Sequence, residues 1–156
     1  MNAQELFFRT IQQGNAENIK RQLENNPHLV NSEDARGFTP LIFATYFDKE
    51  AITKILIDHK ANINGKDASG NTALIGVSFK GNLNLVKLLI KHNADINAQN
   101  NKGTTALSFA TQYKQEAIVK ELIAHNADTS IKDIEGKTAL DYAKDKGFTN
   151  IETMLN

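Results

Sequence analysis

A 33-residue period runs through the chain and constrains its fold more than any other feature. Glycine stands at Gly37, Gly70, Gly103 and Gly136, with threonine two residues later at Thr39, Thr72, Thr105 and Thr138. Leucine follows two further on at Leu41, Leu74, Leu107 and Leu140, and Asp34, Asp67, Asn100 and Asp133 each precede a glycine by three. A period of this length, kept in four copies without insertion, makes each copy one supersecondary unit that buries its apolar face only against its neighbours. Two apolar registers confirm the period, Ile52/Leu85/Ile118/Ile151 and Leu56/Leu89/Leu122/Leu155. Phe8, Ile19, Leu23 and Val30 extend the apolar registers upstream of the first glycine. The 156 residues divide into units 1–33, 34–66, 67–99, 100–132 and 133–156, and the first lacks the Asp, Gly and Thr.

Within a unit the spacing predicts two short helices. Thr39-Pro40 reads as an N-cap hydroxyl followed by proline at the first helical position, where the missing N–H is an orphan anyway. Leu41 and Ala44 then share one face of about two turns. After a break at Asp48, Gly81, Lys114 or Gly147, residues such as Ile52, Ile55 and Leu56 repeat at i, i+3, i+4 and form a one-sided apolar stripe. That second helix is expected to stop near Lys60, Asn93 and Asn126, where asparagine tolerates a left-handed C′ position better than lysine. One second-helix register reads Lys20, Thr53, Val86, Val119, Glu152. Polar ends around an apolar middle are expected of terminal capping units, which reads as a complete array with units 1–33 and 133–156 as its caps.

Composition excludes several classes of protein. With 18 basic and 18 acidic side chains there is no excess of cations for a phosphate backbone or an anionic membrane. The five units carry charges near zero, the middle three each +1 and the last −2. No apolar run reaches bilayer length. The absence of cysteine removes disulfides, thiolate metal sites and thiol nucleophiles. Met1 to Thr10 places Glu5 ahead of any basic residue and has no apolar stretch, so cytoplasm is the default destination, with export as an effector the alternative.

Chemical motifs fare poorly. His59, His92 and His125 share one repeat position, but stacked helices sit about 8–10 Å apart, too far to share an ion with bonds of about 2 Å. They read instead as cations favoured at helix C-termini. Gly76-Val77-Ser78-Phe79-Lys80-Gly81 approaches a nucleophile elbow with the spacing wrong by one and the serine in a helix. Asp67-Ala68-Ser69-Gly70-Asn71 begins like a calcium loop, but its glycine comes early and position twelve is Ser78. No phosphate-binding glycine loop is present. The expectation is a protein that is not an enzyme and holds no metal or cofactor.

The period together with Asp34-Ala35-Arg36-Gly37-Phe38-Thr39-Pro40-Leu41 and Ala61-Asn62-Ile63-Asn64 resembles the ankyrin repeat. The resemblance spans the chain, with the first and last units diverged, and it implies an all-α solenoid of stacked helix-turn-helix units joined by β-turn, hairpin-like loops. Ile42, Ile75, Ser108 and Asp141 replace the family's usual histidine, and Asp48 and Lys114 replace its mid-unit glycine. It further implies that a protein partner binds the concave side, built from turn tips and the exposed face of the first helices. Carried onto this chain, that surface is Arg36, Phe38, Tyr46 and Phe47, then Ser69, Asn71, Phe79 and Lys80, then Lys102, Thr104, Gln112 and Tyr113. Glu135, Lys137, Asp145 and Lys146 fill the same registers in the last unit.

Five of the eleven Phe and Tyr residues, Phe38, Tyr46, Phe47, Phe79 and Tyr113, fall on those positions. Binding hot spots favour aromatics there, whereas the repeat does not require them. Phe43 and Phe109 are expected at the junctions between units. The expected function is a monomeric, non-enzymatic scaffold that presents a preformed surface to one protein partner, with no role for nucleic acid or membrane. The alternative is an inhibitor, immunity-type or protective accessory protein dedicated to one enzyme.

Overall fold

Each copy of the motif closes a turn on its own first side chain. Asp34 Oδ1 accepts the N–H groups of Arg36 and Phe38, both at 2.9 Å, and Asp67 Oδ1 accepts those of Ser69 and Asn71 at the same distance. Asn100 serves Lys102 and Thr104, and Asp133 serves Glu135 and Lys137, each within 2.9–3.0 Å. The backbone closes the same loop, with Gly37 N–H donating to Asp34 O and Asp34 N–H to Phe38 O. Only a residue at ease with positive φ completes this turn, and Gly37, Gly70, Gly103 and Gly136 lie at φ 75–79°. Thr39, Thr105 and Thr138 follow as N-caps, each hydroxyl accepting the N–H of the third helical residue.

The computed structural model describes residues 1–156 and contains ten α-helices and no strand. The helices are α1 (Ala3–Gln13), α2 (Ala16–Asn25), α3 (Pro40–Tyr46), α4 (Glu50–Asp58), α5 (Ala73–Lys80), α6 (Leu83–Lys91), α7 (Ala106–Gln112), α8 (Glu116–Ala124), α9 (Ala139–Lys146) and α10 (Thr149–Leu155). The expected pair of helices per period is present throughout, in an all-α helical-repeat fold.

Two compact units are distinguished, Met1–Ala73 and Leu74–Asn156. In the first, α1 packs on α3 and α2 on α4, around buried Phe7, Ile11, Ile19, Leu23, Leu41, Ile52 and Leu56. In the second, α7 packs on α9 and α8 on both α6 and α10, burying Leu85, Leu89, Leu107, Ile118, Leu122 and Ile151. Apart from Phe7 and Ile11, these are the registers read from the period. Successive repeats are also pinned by asparagine: Asn31 Oδ1 accepts the Asn62 N–H, and Asn97 Oδ1 the Asp128 N–H, both at 2.9 Å.

The break positions are left-handed even where glycine is replaced. Asp48 and Lys114 sit at φ 56° and 55°, and Lys60, Asn93 and Asn126 at 68°, 66° and 63°. The first unit departs from the others in two respects. Its α1 runs 11 residues, against 7 or 8 for the other first helices, because Asn2 and Glu5 form a capping box and Gly14 ends it in the left-handed region. A 3-10 turn at Pro27–Asn31, started by the proline, follows α2.

Two glycines of the same register differ in surroundings. A Cβ on Gly103 would lie 3.0 Å from Asp133 Cα, whereas one on Gly136 would meet nothing within 4 Å. Gly136→Ala is therefore expected to cost about 1 kcal/mol for its φ alone, and Gly103→Ala roughly 1–3 kcal/mol more for the crowding. Urea denaturation measures both, and equal losses would remove the role assigned to close approach. Lys60→Gly is expected to stabilise by roughly 0.5–1 kcal/mol by relieving a left-handed lysine, read as a higher urea midpoint with unchanged slope.

Candidate functional site

Three of the first helices, α3, α5 and α7, end in aromatic residues where the chain turns toward the second helix. In the first compact unit Phe38 stacks on Tyr46 at 6.4 Å between centroids, and Tyr46 meets Phe47 edge-on at 5.1 Å. Phe47 rests on Phe43 at 4.8 Å, and Phe43 on Phe8 at 5.2 Å, so the cluster is rooted in the core. Arg36 caps it with its guanidinium 4.7 Å from the Phe38 ring centre and 3.2 Å from Asp34 Oδ2. The structure thus brings Arg36, Phe38, Tyr46 and Phe47 together.

In the second unit Phe79 on α5 meets Tyr113 edge-on at 4.6 Å and Phe109 at 5.8 Å. Gln115 Nε2 also donates to Phe79 O at 3.3 Å. Phe109 is half-buried and Phe43 buried, as expected of junction residues. Tyr46, Phe79 and Tyr113 are 49%, 43% and 53% exposed. Edge-on geometry suits the ring quadrupoles and holds these side chains in place without burying them.

The other expected residues are placed less uniformly. Ser69, Lys80 and Lys102 are exposed, whereas Asn71 and Gln112 are half-buried. Gln112 Nε2 donates to Ser108 Oγ. Thr104 is only 7% exposed, its N–H bonded to Asn100 Oδ1, so it supports the turn and offers little surface. His59 and His125 donate Nδ1–H to Ile55 O and Glu121 O, carbonyls that also accept the histidine's own backbone N–H at the helix end. Ser78 is helical and fully buried, so the serine of the elbow-like motif faces no solvent. Its hydroxyl has no hydrogen-bond partner, unlike Thr45 and Thr111 one repeat away, which bond Leu41 O and Leu107 O.

An open groove of about 560 Å³ lies in the first unit between α1 and residues 33–36. Phe8 and Phe43 line it together with Glu5, Arg9, Glu33 and Arg36. The sequence motif gave no sign of it, because α1 lacks the repeat's turn residues and only Phe8 lies on a recognisable register.

In the last unit the Tyr142 hydroxyl donates to Asp133 Oδ2, and Lys137 Nζ sits 3.0 Å from Asp145 Oδ2 and 5.2 Å from the Tyr142 ring centre. Burial pushes the Asp133 carboxyl up, but the Tyr142 hydroxyl and the Lys137 and Glu135 N–H groups outweigh it and hold it below the usual carboxylate range. The hydrogen bond to Asp133, with burial, pushes the Tyr142 hydroxyl up to about 12. A tyrosine whose folded pKa is raised adds stability that is complete below its unfolded value near 10 and is lost as pH rises toward 12. The Asp133 contribution has the opposite sense, present above the ordinary carboxylate value near 4 and lost on acidification. Thermal melts of the wild type are therefore expected to fall more steeply between pH 10 and about 12 than those of Tyr142→Phe. Parallel curves would contradict the assignment.

With this geometry in place, the chain matches the family model for ankyrin repeats (3 copies) over residues 7–100 and again over 75–155. It belongs to the ankyrin-repeat family. Ankyrin repeats are generally protein–protein interaction modules, and the family is typically non-enzymatic. No curated protein matches the chain.

Proposed function

We propose that this protein is a non-enzymatic scaffold that binds one protein partner through the turn tips and the ends of its first helices. One observation carries the reading. Of the six large apolar side chains left exposed, three are Tyr46, Phe79 and Tyr113, each at the end of a first helix. Aromatic side chains that are exposed yet held by neighbouring rings offer area to a partner at low ordering cost. Arg36, Phe38, Phe47 and Ser69 join Tyr46 in the first compact unit, Lys80 and Lys102 join Phe79 and Tyr113 in the second, and Thr104 acts beneath its turn.

The test is capture from native lysate followed by mass spectrometry, with the full chain beside a variant carrying Tyr46→Ala, Phe47→Ala, Phe79→Ala and Tyr113→Ala. The variant is expected to keep its far-UV helical signal and to lose the dominant captured protein, a loss of at least ~100-fold in affinity if two of the four act as hot spots. Retention of that protein with unchanged affinity would sink the reading. Adding the chain to the captured protein in its own activity assay then separates a scaffold from a dedicated inhibitor, because only the inhibitor abolishes the activity at stoichiometric mixing.

A further inference from the structure

The position three residues before Phe79 is out of pattern. At its register the second, fourth and fifth repeats carry Phe43, Phe109 and Tyr142, the first carries Thr10, and the third carries Gly76. Gly76 lies inside α5, half-exposed, and its backbone has no need of glycine. Its φ is not positive, and a Cβ built there would meet nothing within 4 Å. Glycine within a helix is destabilising relative to alanine, and here neither conformation nor crowding requires it. It leaves a gap where a ring stands in the flanking repeats. Phe79 and Lys80, at i+3 and i+4, lie on the same helix face as the gap. Phe79 in turn touches Phe109 and Tyr113.

Along the sequence around this gap basic side chains outnumber acidic ones. Between Asp67 and Glu116 the only acidic side chain is Asp95, against Lys80, Lys87, Lys91, Lys102 and Lys114. Lys80 and Lys102 both sit on the candidate binding positions and are exposed, whereas Asp95, also exposed, lies off them. The chain as a whole is neutral, so this excess is local.

We infer that the open position at Gly76 receives an aromatic side chain from an acidic segment of the protein partner, seated against α5 beside Phe79 with its flanking carboxylates toward Lys80 and Lys102. The ring supplies what the repeat omits, and the lysines select the segment that carries it. This rests on the protein-binding reading above and names the chemistry of its partner.

A random 12-residue peptide library displayed on phage and panned against the full chain tests it. The enriched peptides should carry Phe, Tyr or Trp with two or more Asp or Glu nearby. A synthetic peptide of the enriched sequence is then titrated against the wild type and variants. Gly76→Phe, which restores the ring of the flanking repeats, should weaken binding about tenfold or more, as should alanine at the peptide's aromatic position. Lys80→Glu with Lys102→Glu should also weaken it, and the loss should shrink in high salt. Gly76→Ala should melt about 2–4 °C higher than wild type and still bind less tightly, which separates an occupied gap from a damaged fold. Enrichment without an aromatic, enrichment with basic flanks, no enrichment at all, or an affinity unchanged in Gly76→Phe would each overturn the inference. If Gly76→Phe still captures the lysate partner while the quadruple alanine variant does not, this inference fails and the protein-binding reading stands.

Discussion

The carboxylate or amide oxygen that opens each repeat is the interaction on which the rest depends. One acceptor atom of Asp34, Asp67, Asn100 or Asp133 takes two backbone N–H groups of its own turn. Two donors of a loop with little secondary structure are thereby satisfied, and the cost of leaving them unpaired is avoided. The closed turn delivers threonine to the start of a helix, and its hydroxyl takes up a further orphan N–H. That Asn100 makes the same pair of bonds as the three aspartates shows that the acceptor matters here and the charge does not.

This explains why so much of the fold was legible in the sequence. Asp34, Gly37 and Thr39 act within a few residues of themselves, so each leaves a local mark that the period repeats. The buried registers were equally readable, because a stripe at i, i+3, i+4 has one way to face its neighbours. Asparagine marks the left-handed end of the second helix at Asn93 and Asn126, and Asp48, Lys60 and Lys114 adopt the same conformation because the flanking helices fix the geometry. The length of α1 and the 3-10 turn at Pro27–Asn31 were less visible. They depend on the pairing of Asn2 with Glu5 and on Pro27, which stand outside the repeated motif and have no counterparts at the same registers to reveal them.

The candidate surface was half legible. Register alone placed Tyr46, Phe79 and Tyr113 outward, and they are outward. Register could not show that Phe79 and Tyr113 meet edge-on, that Arg36 is held by Asp34 and Phe38, or that Thr104 is buried beneath its turn. Those facts follow from rotamers and from helices contributed by other repeats. The gap at Gly76 lies between the two cases: its departure from Phe43, Phe109 and Tyr142 is written in the sequence, and the open space beside it only in the structure. The orphaned Ser78 hydroxyl, on the same helix, left no sequence signal at all.

The central claim is that the ends of the first helices and the turn tips meet a protein partner. Amide hydrogen exchange of the chain, free and with its captured partner, measures this most directly. Slower exchange is expected in peptides covering 36–47, 69–82 and 102–114, with the second helices α4, α6 and α8 unchanged. Protection confined to α4, α6 and α8, with those three segments exchanging as in the free chain, would contradict the account.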